Sequence, residues 1–504
     1  MLAAPAPVGV VGAGTMGAGI AQVAALAGHP VLLLDSVAGQ AAAAVERIRS
    51  ALDALVDRGR LDVAQASAAQ SRLTAAPSPA DLSGCAIVLE AAVESLPVKQ
   101  QILGDLEAVV AADCVLATNT SSLSVTQVAA LLRRPERCVG LHFFNPPTRM
   151  RLVEVVSGHR TDAAVADAVA TLATAWGKTP VRVASTPGFV VNRVARPFYG
   201  EALRTLERGA ADAATIDAIL RGCGGFAMGP LELTDLIGQD VNLATTVSVW
   251  EQLGRDPRFT PSPTQQALVD AGRLGRKSGS GFYPHGPDAT PPRPSTAPPS
   301  PAPDHVLLHG DWGPWAGLWD RIRDAGVTVE RGSGTDARAE VDGGVLVPTD
   351  GRTATEHAAT TGCPVVVLDL PLDPASASHL AIASSDGCPP TVTAQAVGLL
   401  QATGAAVSVI GDIAGLLVAR TVAMLVDEAF DAVARGVATA ADVDTAMRLG
   451  AGYPLGPLEW GERIGPARVA ALLDALARTE DDGRYRVCAA LRDRALTERP
   501  LHVV

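Results

Sequence analysis

Laid over itself with a shift of 227 residues, this chain meets its own likeness. The stretch "PGFVVNRVARPFYGEALRTLERGAADAATIDAIL" from Pro187 falls on "AGLLVARTVAMLVDEAFDAVARGVATAADVDTAM" from Ala414. Gly188 then meets Gly415, Arg193 meets Arg420, Glu201 meets Glu428, Gly209 meets Gly436 and Asp217 meets Asp444. Farther on, "MGPLELTDLIG" falls on "LGPLEWGERIG". Glycines and charged residues in register over about 50 positions exceed what shared helical periodicity produces, so the chain reads as a duplication of a helical domain, near 186–284 and 412–504. The likeness reaches backwards: "ADAVATLATAWGKTPVRVAS" meets "TAQAVGLLQATGAAVSVIGD", each a helix followed by a strand. Before that the register is gapped, and the second half has room only for a shortened α/β domain. Residues 285–304 hold eight prolines in twenty positions, which predicts a semi-rigid extended linker. The expected order is an α/β domain at 1–185, a helical domain at 186–284, the linker at 285–304, a shortened and degenerate α/β domain at 305–411, and a second helical domain at 412–504.

The N-terminal stretch "VGVVGAGTMGAGIAQVAALAGHPVLLLDS" sets the class of the first domain. A buried strand at Val8–Val11 is followed by Gly12, Gly14 and Gly17, then by a helix from about Met16 to Ala27 and a second strand ending at Asp35. Gly12 suits a tight turn, Gly14 lets backbone approach a pyrophosphate, and Gly17 lets the helix pack closely on the strand. The turn Gly12, Ala13, Gly14, Thr15, Met16 and Gly17 would offer helix N-terminal N–H groups to phosphates. Asp35, eighteen residues after Gly17, would accept from the ribose hydroxyls and repel a 2′-phosphate. These features predict a Rossmann-type domain that takes NAD rather than NADP.

Composition bounds the rest. Aromatic residues make up 4% and apolar residues 48%, so the cores rest on Ala, Val and Leu. A formal net charge of −12 argues against nucleic acid as a partner, because phosphate backbones call for a basic face. Seven cysteines, an odd count with no C-x-x-C pair, predict a reduced cytoplasmic protein with neither a disulfide framework nor a metal site. No charged leader and no long apolar span is present, so neither secretion nor membrane insertion is expected.

The stretch "LHFFNPPTRMRLVEVV", Leu141–Val156, reads as buried strand, yet it carries His142 and, twelve residues on, Glu154. Alone, this is compatible with a core histidine satisfied by backbone. Its company alters the reading. Together with "VGAGTMGAGIAQVAALAGH", "LEAAVESLPVKQQIL", "ATNTSSLSV", "TPGFVVNRV", "MGPLELTDLIG" and "GRKSGSGFY", in this order over nearly all of 1–284, it resembles the L-3-hydroxyacyl-CoA dehydrogenase family. The resemblance implies that His142 is the general base for the 3-hydroxyl and that Glu154 orients its imidazole. It implies that Ser121 contacts the substrate oxygen and the nicotinamide side, that Asn192 holds the substrate carbonyl region, and that Asn145 helps position the cofactor. Glu94, Lys99 and Lys277 resemble cofactor-ribose contacts, with solvated charges as the plain alternative. Arg47, Arg49, Arg58 and Arg60 could meet coenzyme A phosphates, but a solvated helix face is the favoured reading.

Carried across by 227, His142 falls on Asp369, Asn145 on Leu372, Glu154 on Ala381 and Asn192 on Ala419. Gly310, Gly313 and Gly317 do not have the G-x-G-x-x-G spacing. The second half is therefore expected to be catalytically silent and to supply a surface on which the first helical domain packs within the chain, with a homo-oligomer still open. Two-copy members of the resembled family act on 3-hydroxyadipyl-CoA in aerobic phenylacetate degradation, and that architecture suggests this substrate beside 3-hydroxybutyryl-CoA of fatty acid metabolism. A dehydrogenase of a 3-hydroxy acid lacking coenzyme A and a non-catalytic NAD-sensing scaffold are the competing readings.

Overall fold

Runs of four to six residues rich in Val and Leu, most of them buried on both faces, form the strands of the first sheet, as expected where helices cover both sides of a parallel array. The computed structural model describes residues 2–497, so the end of the 412–504 span lies outside the described residues. It contains two compact units, Met1–Arg193 with Arg435–Ala451, and Val194–Ala434 with Gly452–Val504. These units do not follow the linear division expected above, because a segment of the second helical copy belongs to the first unit.

In chain order the first unit holds β1 (Val8–Val11), α1 (Thr15–Leu26), β2 (Val31–Leu34), α2 (Gln40–Asp57), α3 (Val63–Ser71), β3 (Leu73–Ala75), β4 (Ile87–Glu90), α4 (Leu96–Val109), β5 (Val115–Thr118), α5 (Val125–Val128), β6 (Cys138–Phe143), β7 (Leu152–Ser157), α6 (Ala163–Ala175), β8 (Thr179–Ala184) and the short turn α7 (Val191–Val194). The sheet runs β3-β2-β1-β4-β5-β6-β7-β8. All neighbours are parallel except β6 and β7, which are antiparallel and place His142 directly opposite Glu154. Strand order reverses at β1, so the glycine turn opens onto the crevice where such sheets take ligands.

The second unit begins with α8 (Arg196–Glu207), α9 (Ala213–Gly222), α10 (Pro230–Ile237), α11 (Gln239–Gln252) and α12 (Pro263–Asp270). A second α/β layer follows: β9 (His305–His309), α13 (Ala316–Asp324), β10 (Thr328–Arg331), β11 (Arg338–Val341), β12 (Gly344–Pro348), α14 (Ala354–Thr361), β13 (Val365–Leu368), β14 (His379–Ser384), α15 (Pro390–Gln401) and β15 (Ala406–Val409). The second helical copy is α16 (Val418–Ala434), α17 (Ala440–Gly450), α18 (Pro457–Ile464), α19 (Pro466–Glu480) and α20 (Ala489–Thr497), of which α17 lies in the first unit.

The second sheet, β10-β9-β11-β12-β13-β14-β15, shows how the shortening was achieved. Where the first sheet has β4 beside β1, reached by a long excursion, the second has β11, antiparallel to both of its neighbours. It joins β12 across Asp342–Gly343, a two-residue hairpin with Gly343 at φ 81°. After β9, in place of a glycine turn, come Trp312, Trp315 and Trp319, each no more than 3% exposed.

The proline-rich stretch is extended, as its composition requires, but it is seated on the protein. Two of its backbone donors reach the second α/β layer: Ala297 N–H donates to Val407 O at 2.7 Å and Ser300 N–H to Gln401 Oε1 at 2.9 Å. It thereby covers β15, the edge strand of the second sheet, which would otherwise present unpaired backbone groups.

The two helical copies meet inside the second unit through counterpart helices. α16 is continuous, whereas the matching residues of the first copy break into α7 and α8 at Arg196-Pro197, since a proline has no N–H for an interior helical bond. α8 packs on α16. Glu201, 1% exposed, accepts from Arg420 Nε at 2.8 Å and from the Tyr485 hydroxyl at 2.8 Å. Its counterpart Glu428 accepts from Arg258 Nη1 at 2.9 Å. Buried carboxylates of this kind are tolerated only when paired, so losing either partner is costly.

Asp369, just after β13 and fully buried, is paired with no cation among the described residues. It accepts from the N–H groups of Leu417, Val418 and Ala419 at 2.7–3.0 Å. Burial pushes its carboxyl up to about 6, against the pull of those N–H groups. A folded-state pKa above the unfolded value means that this group's contribution favours folding at low pH and is lost as pH rises through about 6. On going from pH 7 to pH 4.5, the wild type should therefore gain about 1–3 kcal/mol more unfolding free energy than Asp369→Asn, as measured by urea titration at both pH values. Parallel pH dependences in the two proteins would refute the assignment.

Candidate functional site

The glycine turn after β1 is shaped by close approaches. Gly12 sits at φ 101°, and a Cβ there would lie 2.6 Å from Ala91 O. A Cβ on Gly17 would overlap Gly12 O, whereas one on Gly14 would meet nothing within 4 Å. Gly14 is the N-cap of α1 and no side chain caps that helix, so its first N–H groups face the open side of Gly14. This is the arrangement that receives a phosphate group. Asp35 ends β2 and ties the turn down: Oδ2 accepts from Ala13 N–H at 2.7 Å and Oδ1 from Val37 N–H at 2.9 Å. Arg47, expected on a solvated helix face, instead donates from Nη2 to Ala13 O at 3.0 Å and so sets a guanidinium beside the turn. Nothing local in the sequence signals this contact, which depends on how α2 crosses the sheet. Arg49 bonds to Glu46, while Arg58 and Arg60 are exposed at the end of α2.

The antiparallel register of β6 and β7 brings His142 and Glu154 face to face. Nδ1–H of His142 donates to Glu154 Oε2 at 2.7 Å, the acceptor-only carboxylate setting the tautomer. The imidazole is 6% exposed and the carboxylate 0%. Glu154 has a second task. Its Oε1 accepts from Val190 N–H at 3.0 Å and Val191 N–H at 3.1 Å. Those N–H groups converge because Gly188 and Phe189 both adopt positive φ, 74° and 49°. The Phe189 value is rare for a bulky residue and marks a strained segment held by its surroundings. Phe144 and Phe189 flank the imidazole, with ring centroids at 4.5 and 5.8 Å.

A second cluster lies at the ends of β4 and β5. Glu90, 0% exposed, accepts from Lys99 Nζ at 2.8 Å, from Thr118 Oγ1 at 2.6 Å and from Ala92 N–H at 2.6 Å. Lys99 is also buried, and its ammonium lies 3.3 Å from Glu94. Glu94 in turn accepts from Thr120 Oγ1 at 2.7 Å and from the N–H groups of Ser121 and Ser122 at 2.9 and 3.0 Å. Burial alone would raise the Glu94 carboxyl, but Lys99 and the donors from Thr120, Ser121 and Ser122 hold it below its usual value. Asn192 Nδ2 donates to Ser121 O at 3.2 Å, which links this loop to α7.

The first unit thus gathers His142, Glu154, Ser121, Asn192 and Glu94, together with the glycine turn and Asp35. Asn145 is exposed just beyond β6. Lys99 departs from the sequence reading: 1% exposed and committed to two carboxylates, it is placed to hold Glu94 rather than to touch a ribose. Lys277 lies in the second unit, where its Nζ pairs with Asp240 at 2.7 Å. Sequence reasoning missed Glu90, whose only signal is its position at the end of an apolar strand nine residues before Lys99. In the second half Asp369 does what Glu154 does for the loop: Gly415 and Leu416, at φ 69° and 47°, aim the following N–H groups at it. Among the described residues no imidazole is paired with that carboxylate.

Residues 7–186 match the family model described as 3-hydroxyacyl-CoA dehydrogenase, NAD binding domain, and residues 188–285 and 415–500 both match 3-hydroxyacyl-CoA dehydrogenase, C-terminal domain. Residues 346–413 match the 3-hydroxybutyryl-CoA dehydrogenase reduced Rossmann-fold domain. The chain is 44% identical to the 3-hydroxyadipyl-CoA dehydrogenase of Escherichia coli K12 over 97% of its own length and 98% of that protein's. It is 38% identical to a 3-hydroxybutyryl-CoA dehydrogenase of Clostridioides difficile, over 54% of this chain and 97% of that one. Among solved structures, a 3-hydroxybutyryl-CoA dehydrogenase from Escherichia coli K12 superposes with a TM-score of 0.90 at 42% identity, covering 98% of both chains. These two full-length matches, both from Escherichia coli K12, are named for different acyl groups.

The double duty of Glu154 makes a stability prediction. Glu154→Ala leaves two buried N–H groups without an acceptor and should lower the unfolding free energy by about 2–5 kcal/mol. Glu154→Gln keeps an oxygen for them and should cost less than half as much. Equal losses in urea titrations of the two variants would show that Oε1 does not hold the loop.

Proposed function

This chain belongs to the 3-hydroxyacyl-CoA dehydrogenase family, and from that premise we propose that His142 is the base by which it oxidises the 3-hydroxyl of an L-3-hydroxyacyl-CoA to the 3-ketoacyl-CoA, reversibly and with NAD. The observation that carries the assignment is the buried His142–Glu154 pair at 2.7 Å. With Nδ1–H given to the carboxylate, Nε2 is the nitrogen that takes up the hydroxyl proton. Glu154 then stabilises the imidazolium, which in a buried position would otherwise be disfavoured.

The residues around the glycine turn fit a dinucleotide. Gly14 leaves the approach open, the uncapped start of α1 supplies N–H donors, and Asp35 stands where a ribose would meet it. When bound, NAD supplies the acceptor for the hydride leaving C3. Ser121 and Asn192 hold the substrate oxygen and carbonyl region; their support is the shared loop, joined by the Asn192–Ser121 hydrogen bond and ordered by Glu94. Asn145 borders the cofactor, and Arg47 adds positive charge beside the turn. Lys277 is paired with Asp240, so its place among the ribose contacts rests on the family resemblance and ranks below that of Glu94.

The acyl group is 3-hydroxyadipyl. The support is that a relative of that name matches this chain from end to end, duplicated architecture included, whereas the short 3-hydroxybutyryl-CoA enzymes match only about half of it. The full-length solved structure named for 3-hydroxybutyryl-CoA makes that the substrate to compare. The reaction takes place in the cytoplasm, a setting consistent with seven unpaired cysteines. Among the described residues no helix is long and apolar enough to cross a membrane.

Following NADH formation at 340 nm in wavelength, a standard readout for this cofactor, kcat/KM should be higher for 3-hydroxyadipyl-CoA than for 3-hydroxybutyryl-CoA; the reverse order would overturn the acyl assignment. His142→Gln should lower kcat by about 10²–10⁴-fold with NAD binding retained. Near-normal turnover would remove His142 from the mechanism. The Asp35 carboxylate should favour NAD over NADP by about tenfold or more in kcat/KM, a repulsion of roughly 1.4 kcal/mol being enough. Equal use of both cofactors would defeat that reading.

A further inference from the structure

By sequence α17 belongs to the second, silent copy; by packing it belongs to the catalytic unit. It lies against β7 and β8, with Ala184 N–H donating to Val437 O at 2.8 Å just before the helix begins. At its other end Gly450 stands so close that a Cβ would lie 2.5 Å from Leu152 Cδ2, 2.9 Å from Val191 Cγ2 and 3.7 Å from Phe144 Cε1. Each neighbour adjoins a site residue. Phe144 follows His142 by two positions and its ring rests on the imidazole. Leu152 is on the same strand as Glu154 and is fully buried. Val191 gives its N–H to Glu154 and precedes Asn192.

The reciprocal contact exists in the second unit, related by the same shift of 227. There α9, from the first copy, packs on β14, the counterpart of β7. Gly411 N–H donates to Ala210 O at 2.8 Å, the mirror of the Ala184–Val437 bond. A Cβ on Gly222, one register position from the counterpart of Gly450, would lie 2.5 Å from Cβ of His379, the counterpart of Leu152. On that side Asp369 and Ala381 stand at the positions matching His142 and Glu154.

We propose that Gly450 is a positioning residue for catalysis, its missing side chain allowing α17 of the silent copy to hold Phe144, Leu152 and Val191, and through them His142, Glu154 and Asn192, in working register. This rests on the assignment of His142 as the base. A side chain at 450 has to move the Leu152 Cδ2 and Val191 Cγ2 methyl groups, and because Leu152 is fully buried in a close-packed interior its neighbours must give way with it. Proton transfer tolerates little: misplacement by about 1 Å costs on the order of 10²-fold in rate.

The test compares the full-length wild type with Gly450→Ala, Gly450→Ala/Leu152→Val, and Gly222→Ala, which crowds His379 in the reciprocal contact of the second unit. Expected for Gly450→Ala are a fall in kcat of about tenfold or more, an NADH dissociation constant within about twofold of wild type, and a displaced apparent pKa in the kcat–pH profile. Restoring room with Leu152→Val should recover most of the kcat, and Gly222→Ala should keep it. Wild-type kcat and pH profile in Gly450→Ala overturn the proposal, as does a loss matched by Gly222→Ala. Should Gly450→Ala fail to fold, Leu152→Ala tests the contact from its other side: a lowered kcat with a displaced pH profile supports the proposal, and an unchanged profile overturns it. Wild type inactive on every L-3-hydroxyacyl-CoA would instead sink the proposed reaction, whereas an active wild type with an indifferent Gly450→Ala sinks the positioning role alone.

Discussion

Where each helical copy begins, consecutive backbone N–H groups point at one spot in the interior and need an anion there. Gly188 with Phe189, and Gly415 with Leu416, create the convergence through positive φ. A buried carboxylate answers it in both halves, Glu154 in one and Asp369 in the other. Two or three charge-assisted bonds join sheet to helical copy, and they are strong because the surroundings are dry. Much else in the fold is arranged around that joint.

The halves differ in the strand that supplies the carboxylate. In the first it comes from β7, which leaves the facing position on β6 for His142, and one carboxylate serves both the loop and the imidazole. In the second it comes from the residue after β13, at the position matching His142, and Ala381 stands where Glu154 would be. Both halves keep a carboxylate for the loop, and in the first that carboxylate also meets an imidazole. His142 thus has a partner that the fold already holds in place through the Val190 and Val191 N–H groups.

Duplication also changes what a helix can do for its neighbour. α8 on α16 buries Glu201 and Glu428 with arginine partners, and α17 and α9 each pack on a sheet of the other half's sequence. The exchange explains why the second copy keeps glycines and charged residues in register: its surfaces are constrained by the contacts they make. The seated proline-rich stretch, covering β15, fits the same economy of edges.

Much of this was legible in the linear sequence. The glycine spacing, Asp35, the His142–Glu154 separation and the repeat are local or periodic signals, and they named the fold, the nucleotide turn and the pair that the antiparallel register sets face to face. What tertiary structure decided involves residues whose partners are distant in the chain. Arg47 turned from solvent to Ala13 O; Lys99 went inside because Glu90 was waiting at the end of β4; α17 joined the first unit by packing on β7 and β8. Sequence encodes which residues are apolar, charged or permissive of positive φ, and these preferences act over a few neighbours. Which charge meets which, and which helix covers which sheet, follows only from closing the chain, because burying a charge is tolerable solely where folding has delivered its partner.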